Sequence, residues 1–120
     1  MGQRRMKKLA ALAFVCIALT GCNSAKEPIY YYGEYNTAVY AYLKADEVTV
    51  EEQISMLEQT IEDAANKSKA VAPGLHAHLG MLYFETGNPD LGATHFETEK
   101  LLFPESVQYI DFLLKSAKGA

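Results

Sequence analysis

Three histidines, two cysteines and a run of tyrosines are the side chains in these 120 residues whose chemistry must be tested first. His76 and His78 stand two apart in a stretch with helical spacing, so they point to opposite sides and cannot chelate one ion without unwinding that turn. His95 and Glu99 form an i, i+4 pair, but two ligands do not complete a metal site. His76 is expected to pack partly between helices and His78 to face solvent. No serine sits in a Gly-flanked elbow, and the glycines are too scattered for a phosphate-cradling loop. Glu51-Glu52, and Glu97 with Glu99, read as solvated helix faces or as electrostatic steering of a basic partner. The residue types thus supply no catalytic constellation, and the expectation is a non-enzyme with no catalytic residue, no cofactor and no metal.

The cysteines belong to a different kind of chemistry. Arg4, Arg5, Lys7 and Lys8 make a basic start, and every residue from Leu9 to Leu19 is apolar. That run is well short of the ~20 residues a membrane-spanning helix needs, and with its basic flank it reads as a secretory signal peptide. Leu19-Thr20-Gly21-Cys22 resembles a bacterial lipobox. The resemblance implies thioether lipidation of Cys22, cleavage before it, and acylation (a palmitate-type chain) of the new amino group. Asn23 stands where Asp would favour inner-membrane retention, so the resemblance points to the periplasmic face of the outer membrane. Cys16 leaves with the signal and Cys22 carries lipid, so neither is free for a disulfide or for nucleophilic work.

The predicted organisation is a signal peptide over 1–21, a lipidated tether and aromatic run over 22–33, and a helical domain over 34–120. Without its four leader cations the chain keeps 7 of its 11 basic residues against 15 acidic ones, a formal charge of −8. Such a surface disfavours nucleic acid and suits a basic partner patch. Tyr30, Tyr31 and Tyr32, with Tyr35 just beyond, either close off the first hairpin or form an aromatic patch that docks a partner.

The elements that must carry these residues read as helices. Tyr35, Val39, Tyr42 and Leu43 recur at helical spacing. Thr49 with Glu52 makes a capping box ahead of Val50, Ile54, Leu57, Ile61 and Ala64, an amphipathic helix running to about Ser68. Pro73 is expected in the first turn of a helix striped by Leu75, Leu79, Leu82 and Tyr83, stopped by Gly87. Asn88 is expected to cap a helix carrying Ala93, Phe96 and Lys100 into Leu101-Leu102-Phe103, ended by Pro104. Val107, Ile110, Leu113, Leu114 and Ala117 mark the last one. Five helices and no sheet are predicted.

Leu79-Gly80, Tyr83, Gly87-Asn88, Phe96 and Pro104 resemble one tetratricopeptide repeat over about Pro73 to Pro104, with His76 and Gly92 as departures. In that reading Gly80 lets the paired helix approach closely. The implied fold is all-α, a short tetratricopeptide-like stack of antiparallel helical hairpins, with a candidate groove lined by His76, Leu79, Tyr83 and the Tyr30 to Tyr35 run. Tyr30-Tyr31-Tyr32-Gly33-Glu34-Tyr35, Pro73 to Gly80, Phe96 to Lys100 and Phe103 to Ser106 together resemble a family of small Gram-negative lipoproteins, catalogued as domain of unknown function 4810. That resemblance implies a lipid anchor and a role among other outer-membrane lipoproteins, one of them similar to the curli secretion channel. The expected function is a periplasm-facing protein–protein interaction adaptor, bound to other outer-membrane lipoproteins or periplasmic proteins and with no small-molecule substrate. A regulator or modifier of a peptidoglycan enzyme is the alternative, and a structural lipoprotein that oligomerises through its aromatic patch a third.

Overall fold

The computed structural model describes residues 2–8, 10, 26–45 and 47–119. Residues 2–8 are helical and exposed. Leu19, Thr20, Gly21, Cys22 and Asn23 lie outside the described residues.

The domain is all-α. Its helices are α1 (Tyr35–Lys44), α2 (Val50–Asn66), α3 (Leu75–Glu85), α4 (Pro89–Leu102) and α5 (Val107–Gly119), with a 3-10 turn over Pro104–Ser106 between the last two. One expectation is corrected at once. Tyr30–Tyr31 (β1) and Ala70–Val71 (β2) pair as a two-stranded parallel ladder. Two residues per strand are too few for a period-2 pattern to show in sequence.

Local chemistry sets most of the boundaries. Thr49 Oγ1 accepts the Glu52 N–H at 3.1 Å, and a Glu52 carboxylate oxygen accepts the Thr49 N–H at 2.8 Å, closing the capping box that starts α2. Thr49→Ala should lower stability by about 1 kcal/mol in urea denaturation, because the Glu52 N–H loses its side-chain acceptor. Gly87, at φ +79°, stops α3 in the left-handed region that glycine reaches without a Cβ clash. Pro73 falls two residues short of α3, which begins after Gly74 (φ +94°). Asn88 does not cap α4 with its side chain; its Nδ2 donates back to the Thr86 carbonyl and hydroxyl, both at 3.3 Å.

The core has two parts. Ala38, Leu57, Ala64, Leu75, Leu79 and Leu82 form the larger, with Tyr31, Tyr35, Val50, Ile54 and Ile61 packed around it. Ala77, Phe96 and Ile110 form the smaller, backed by Met81, Phe84, Leu113 and Leu114. The amphipathic stripe expected of α2 is therefore present, although Gln53 and Thr60 are buried on it as well. Thr60 earns its place by polarity. Its Oγ1 accepts the Glu34 N–H at 3.0 Å and donates to the Met56 carbonyl at 2.8 Å, so it ties the start of α1 to α2.

α3 and α4 are an antiparallel pair. Gly74, His76 and Gly80 on the first strand of the hairpin meet Glu99, His95 and Gly92 on the second, in descending order. The close approach expected at Gly80 is real and two-sided. A Cβ there would sit 2.9 Å from the Gly92 carbonyl oxygen, and a Cβ on Gly92 would sit 2.8 Å from the Gly80 carbonyl oxygen. Gly92, a departure from the repeat pattern, is thus what the contact requires. α5 covers the small core through one fully buried residue, Ile110. Of Leu101-Leu102-Phe103 only Phe103 is buried, so the apolar cluster at the end of α4 mostly faces out.

Candidate functional site

The richest side-chain cluster joins α2, α3 and α4. His76 Nδ1 and His95 Nδ1 lie 3.0 Å apart, one donating and the other accepting, which requires complementary tautomers. Their ring centroids are 5.3 Å apart, and the Tyr83 ring lies nearly parallel to His95 at 5.4 Å with an interplanar angle of 5°. The Tyr83 hydroxyl donates to the Glu58 carboxylate of α2. The result is a chain of contacts, His76 to His95 to Tyr83, that ends on a carboxylate.

Electrostatics follow from that burial. His76 is only 7% exposed, and desolvation, with the neighbouring His95 adding to it, pulls it down to about 4. His95 is lowered by burial, with Glu58 opposing. Burial, then the bond to Glu58, pushes the Tyr83 phenol up to about 12. The pair is therefore held neutral. An unfolded His76 titrates near 6.5, so between that pH and about 4 the unfolded chain binds the extra proton. Its contribution to stability is present above pH ~6.5 and is lost as pH falls towards about 4. Urea midpoints should fall from pH 7.5 to pH 5, and His76→Gln should flatten the dependence.

His78 does not face open solvent. It is half-buried, edge-on to the Tyr42 ring at 5.2 Å, and its Nε2 is buried without a hydrogen-bond partner. Burial lowers its pKa, with Glu85 opposing. Tyr42 reaches across to donate to a Glu85 carboxylate oxygen at 2.7 Å, fastening α1 to the end of α3.

Glu99 overturns its expected place on a solvated face. It is 2% exposed and accepts the Gly74 N–H at 2.6 Å and the Ala77 N–H at 3.3 Å. A carboxylate from α4 thus satisfies donors at the N-terminus of α3, where the helix dipole favours negative charge. In sequence Glu99 is one of several polar residues around Glu97 and Lys100, and the backbone donors it holds lie 25 and 22 residues away.

The expected binding residues divide between these places. His76 and Tyr83 are joined through His95, which sequence reasoning had weighed only as a partner for Glu99. Leu79 is fully buried and lines no groove. Tyr30 and Tyr31 form β1; Tyr30 meets the Phe103 ring edge-on at 5.8 Å, and Tyr31 lies under the Lys67 ammonium, 4.4 Å from its ring centroid. Tyr32 is exposed. Tyr35 is half-buried against Gly74, and its phenol is raised by burial and then by the charge of Glu99, with Tyr109 and Tyr32 contributing. Among the described residues no group of three or more His, Cys, Asp and Glu could hold a metal ion, and no helix is long and apolar enough to cross a membrane. An open apolar groove of about 390 Å³ lies between α3, α4 and the end of α5, lined by Met81, Phe84, Phe96 and Leu113.

This defines a small all-α domain whose aromatic N-terminal segment is laced onto its helices. The chain belongs to the family described as Domain of unknown function (DUF4810), which matches residues 29–113. The matched span runs from the residue before β1 into α5, so it covers nearly the whole of the helical domain. No curated protein and no solved structure matches the chain.

Proposed function

We propose that this protein is an outer-membrane-anchored, periplasm-facing lipoprotein that acts as a non-enzymatic protein–protein interaction adaptor. The observation that carries the reading is Leu19-Thr20-Gly21-Cys22 behind a basic start and an apolar run too short to span a bilayer. Several acyl chains on Cys22 exceed what stable anchoring needs. Cys22→Ala should abolish labelling by radiolabelled palmitate and move the protein out of the membrane fraction; a labelled, membrane-bound Cys22→Ala would refute the anchor.

The adaptor role is supported by the architecture beyond the anchor. The antiparallel pair α3–α4 leaves an open apolar groove beside α5, and in the tetratricopeptide-like reading such surfaces receive extended or helical segments. Glu99 and Tyr83 are used in internal bonds, to Gly74 and to Glu58. A formal −8 after cleavage favours a partner with a basic patch, such as another outer-membrane lipoprotein or a periplasmic protein, a relative of the curli secretion channel among them. Crosslinking in intact cells followed by mass spectrometry should return the same partner repeatedly. Recovery of the protein alone would sink the adaptor reading.

A further inference from the structure

The end of the domain that receives the tether is unlike the rest of its surface. Ile29, the residue before β1, is 83% exposed, and Leu101 is 81% exposed at the end of α4. The edge-on contact of Tyr30 with Phe103 brings these two chain segments together. Leu102 is exposed beside Leu101, Tyr109 is exposed in the first turn of α5, and Tyr32 is exposed one residue past β1. Tyr35 packs against Gly74, whose N–H is held by Glu99, and Lys100 pairs with Asp111 at 3.1 Å, which brings the start of α1, the end of α4 and the start of α5 to one end. The opposite end is marked by the bond between Tyr42 and Glu85 at the close of α1 and α3.

Chain length supplies the occupant. Cys22 is seven residues before Ile29. A fully extended chain of that length spans at most ~25 Å, so a lipid on Cys22 keeps this end within that reach of the leaflet. Tyrosine and leucine are the residue types that rest at a headgroup boundary, the ring or alkyl group in the apolar layer and the hydroxyl in water. The acidic net charge offers no attraction to an anionic leaflet, so contact there must rest on apolar and aromatic groups.

We propose that Ile29, Tyr30, Tyr32, Leu101, Leu102 and Tyr109 form a membrane-seating surface that rests on the phospholipid leaflet holding the Cys22 anchor. The proposal rests on the lipid-anchor reading and adds an orientation to it: the domain lies down on its tether end instead of hanging free. Its far end, with Leu43 and Glu85, then points into the periplasm.

The chain contains no tryptophan, so a single introduced one is a clean reporter. Lipidated Leu102→Trp, Tyr32→Trp and Leu43→Trp proteins would each be reconstituted into phosphatidylethanolamine/phosphatidylglycerol vesicles, with and without brominated acyl chains. A side chain seated ~5–10 Å into the boundary should lose about half its emission to bromine. Leu102→Trp and Tyr32→Trp should show that loss, and Leu43→Trp should keep its emission. Equal quenching at all three positions, or none at any in protein that floats with the vesicles, overturns the seating surface while the anchor stands. Blue-shifted but unquenched emission means that protein, not lipid, covers this face, and overturns it too. Protein that carries no lipid and does not float refutes the anchor itself.

Discussion

Gly80→Val should cost about 3 kcal/mol or more, enough to leave much of a domain of this size unfolded at physiological temperature. The reason is geometric. Even a first carbon at position 80 would fall 2.5 Å and 2.7 Å from two Phe96 ring carbons and 2.9 Å from the Gly92 carbonyl oxygen. Phe96 is 1% exposed and packed in the smaller core, and the carbonyl belongs to the backbone of α4, which cannot turn aside as a side chain can. The clash is relieved only by separating α3 from α4, which would also break the His76–His95 contact and draw Glu99 away from Gly74 and Ala77. Urea denaturation followed by circular dichroism should show a sharply reduced midpoint. A Gly80→Val protein with wild-type stability would mean that the two helices do not pack through paired glycines.

Glu99→Ala should cost about 3 kcal/mol, a large effect for a single glutamate on a helix. Ordinary surface glutamates contribute a few tenths of a kcal/mol. This one is nearly inaccessible and supplies both oxygens to backbone donors of another helix. Truncation leaves the Gly74 and Ala77 N–H groups without their acceptor, opens a cavity and removes negative charge from a helix N-terminus. Glu99→Gln keeps one acceptor oxygen and the side-chain volume, so its loss should be clearly smaller. Equal losses for the two variants would show that the negative charge and the second acceptor oxygen, not side-chain volume, are what Glu99 contributes. Amide exchange at Gly74 and Ala77 separates the cases directly, since only loss of the acceptor unprotects them.

Both predictions concern contacts that the sequence hinted at unevenly. Helix positions were legible because the chain repeats apolar residues at helical spacing and punctuates them with Thr49, Gly87 and Pro104, signals that act within one turn. Gly80 was legible for the same reason, as part of a local pattern. Glu99 and His95 were not. On their own helix they look like any polar residues beside Glu97 and Lys100, and only the pairing of α3 with α4 gives one a helix end to cap and the other an imidazole to bond. The two-residue ladder was invisible for a related reason, since its strands are separated by α1 and α2 and neither is long enough to alternate. The aromatic run resolved into three fates: Tyr31 and Tyr35 pack against the core, Tyr30 meets Phe103, and Tyr32 stays exposed. Pattern recognition registers spacing along one chain, whereas these roles are set by distance between chain segments.

The β1–β2 ladder also has a mechanical meaning. It lies just before the helices of the domain, where Tyr30 is matched to Ala70 and Tyr31 to Val71. The Tyr31 ring lies beneath the Lys67 ammonium, and Lys69 grips the Glu27 carboxylate at 2.9 Å just upstream. Tension arriving through residue 28 meets this clasp before it meets any helix. The load is then shared with the junction between α2 and α3, deep in the sequence, instead of peeling α1 away turn by turn. For a domain held at one end while its other surfaces engage something heavy, such a strain relief keeps the pull off the packing that the paired glycines depend on.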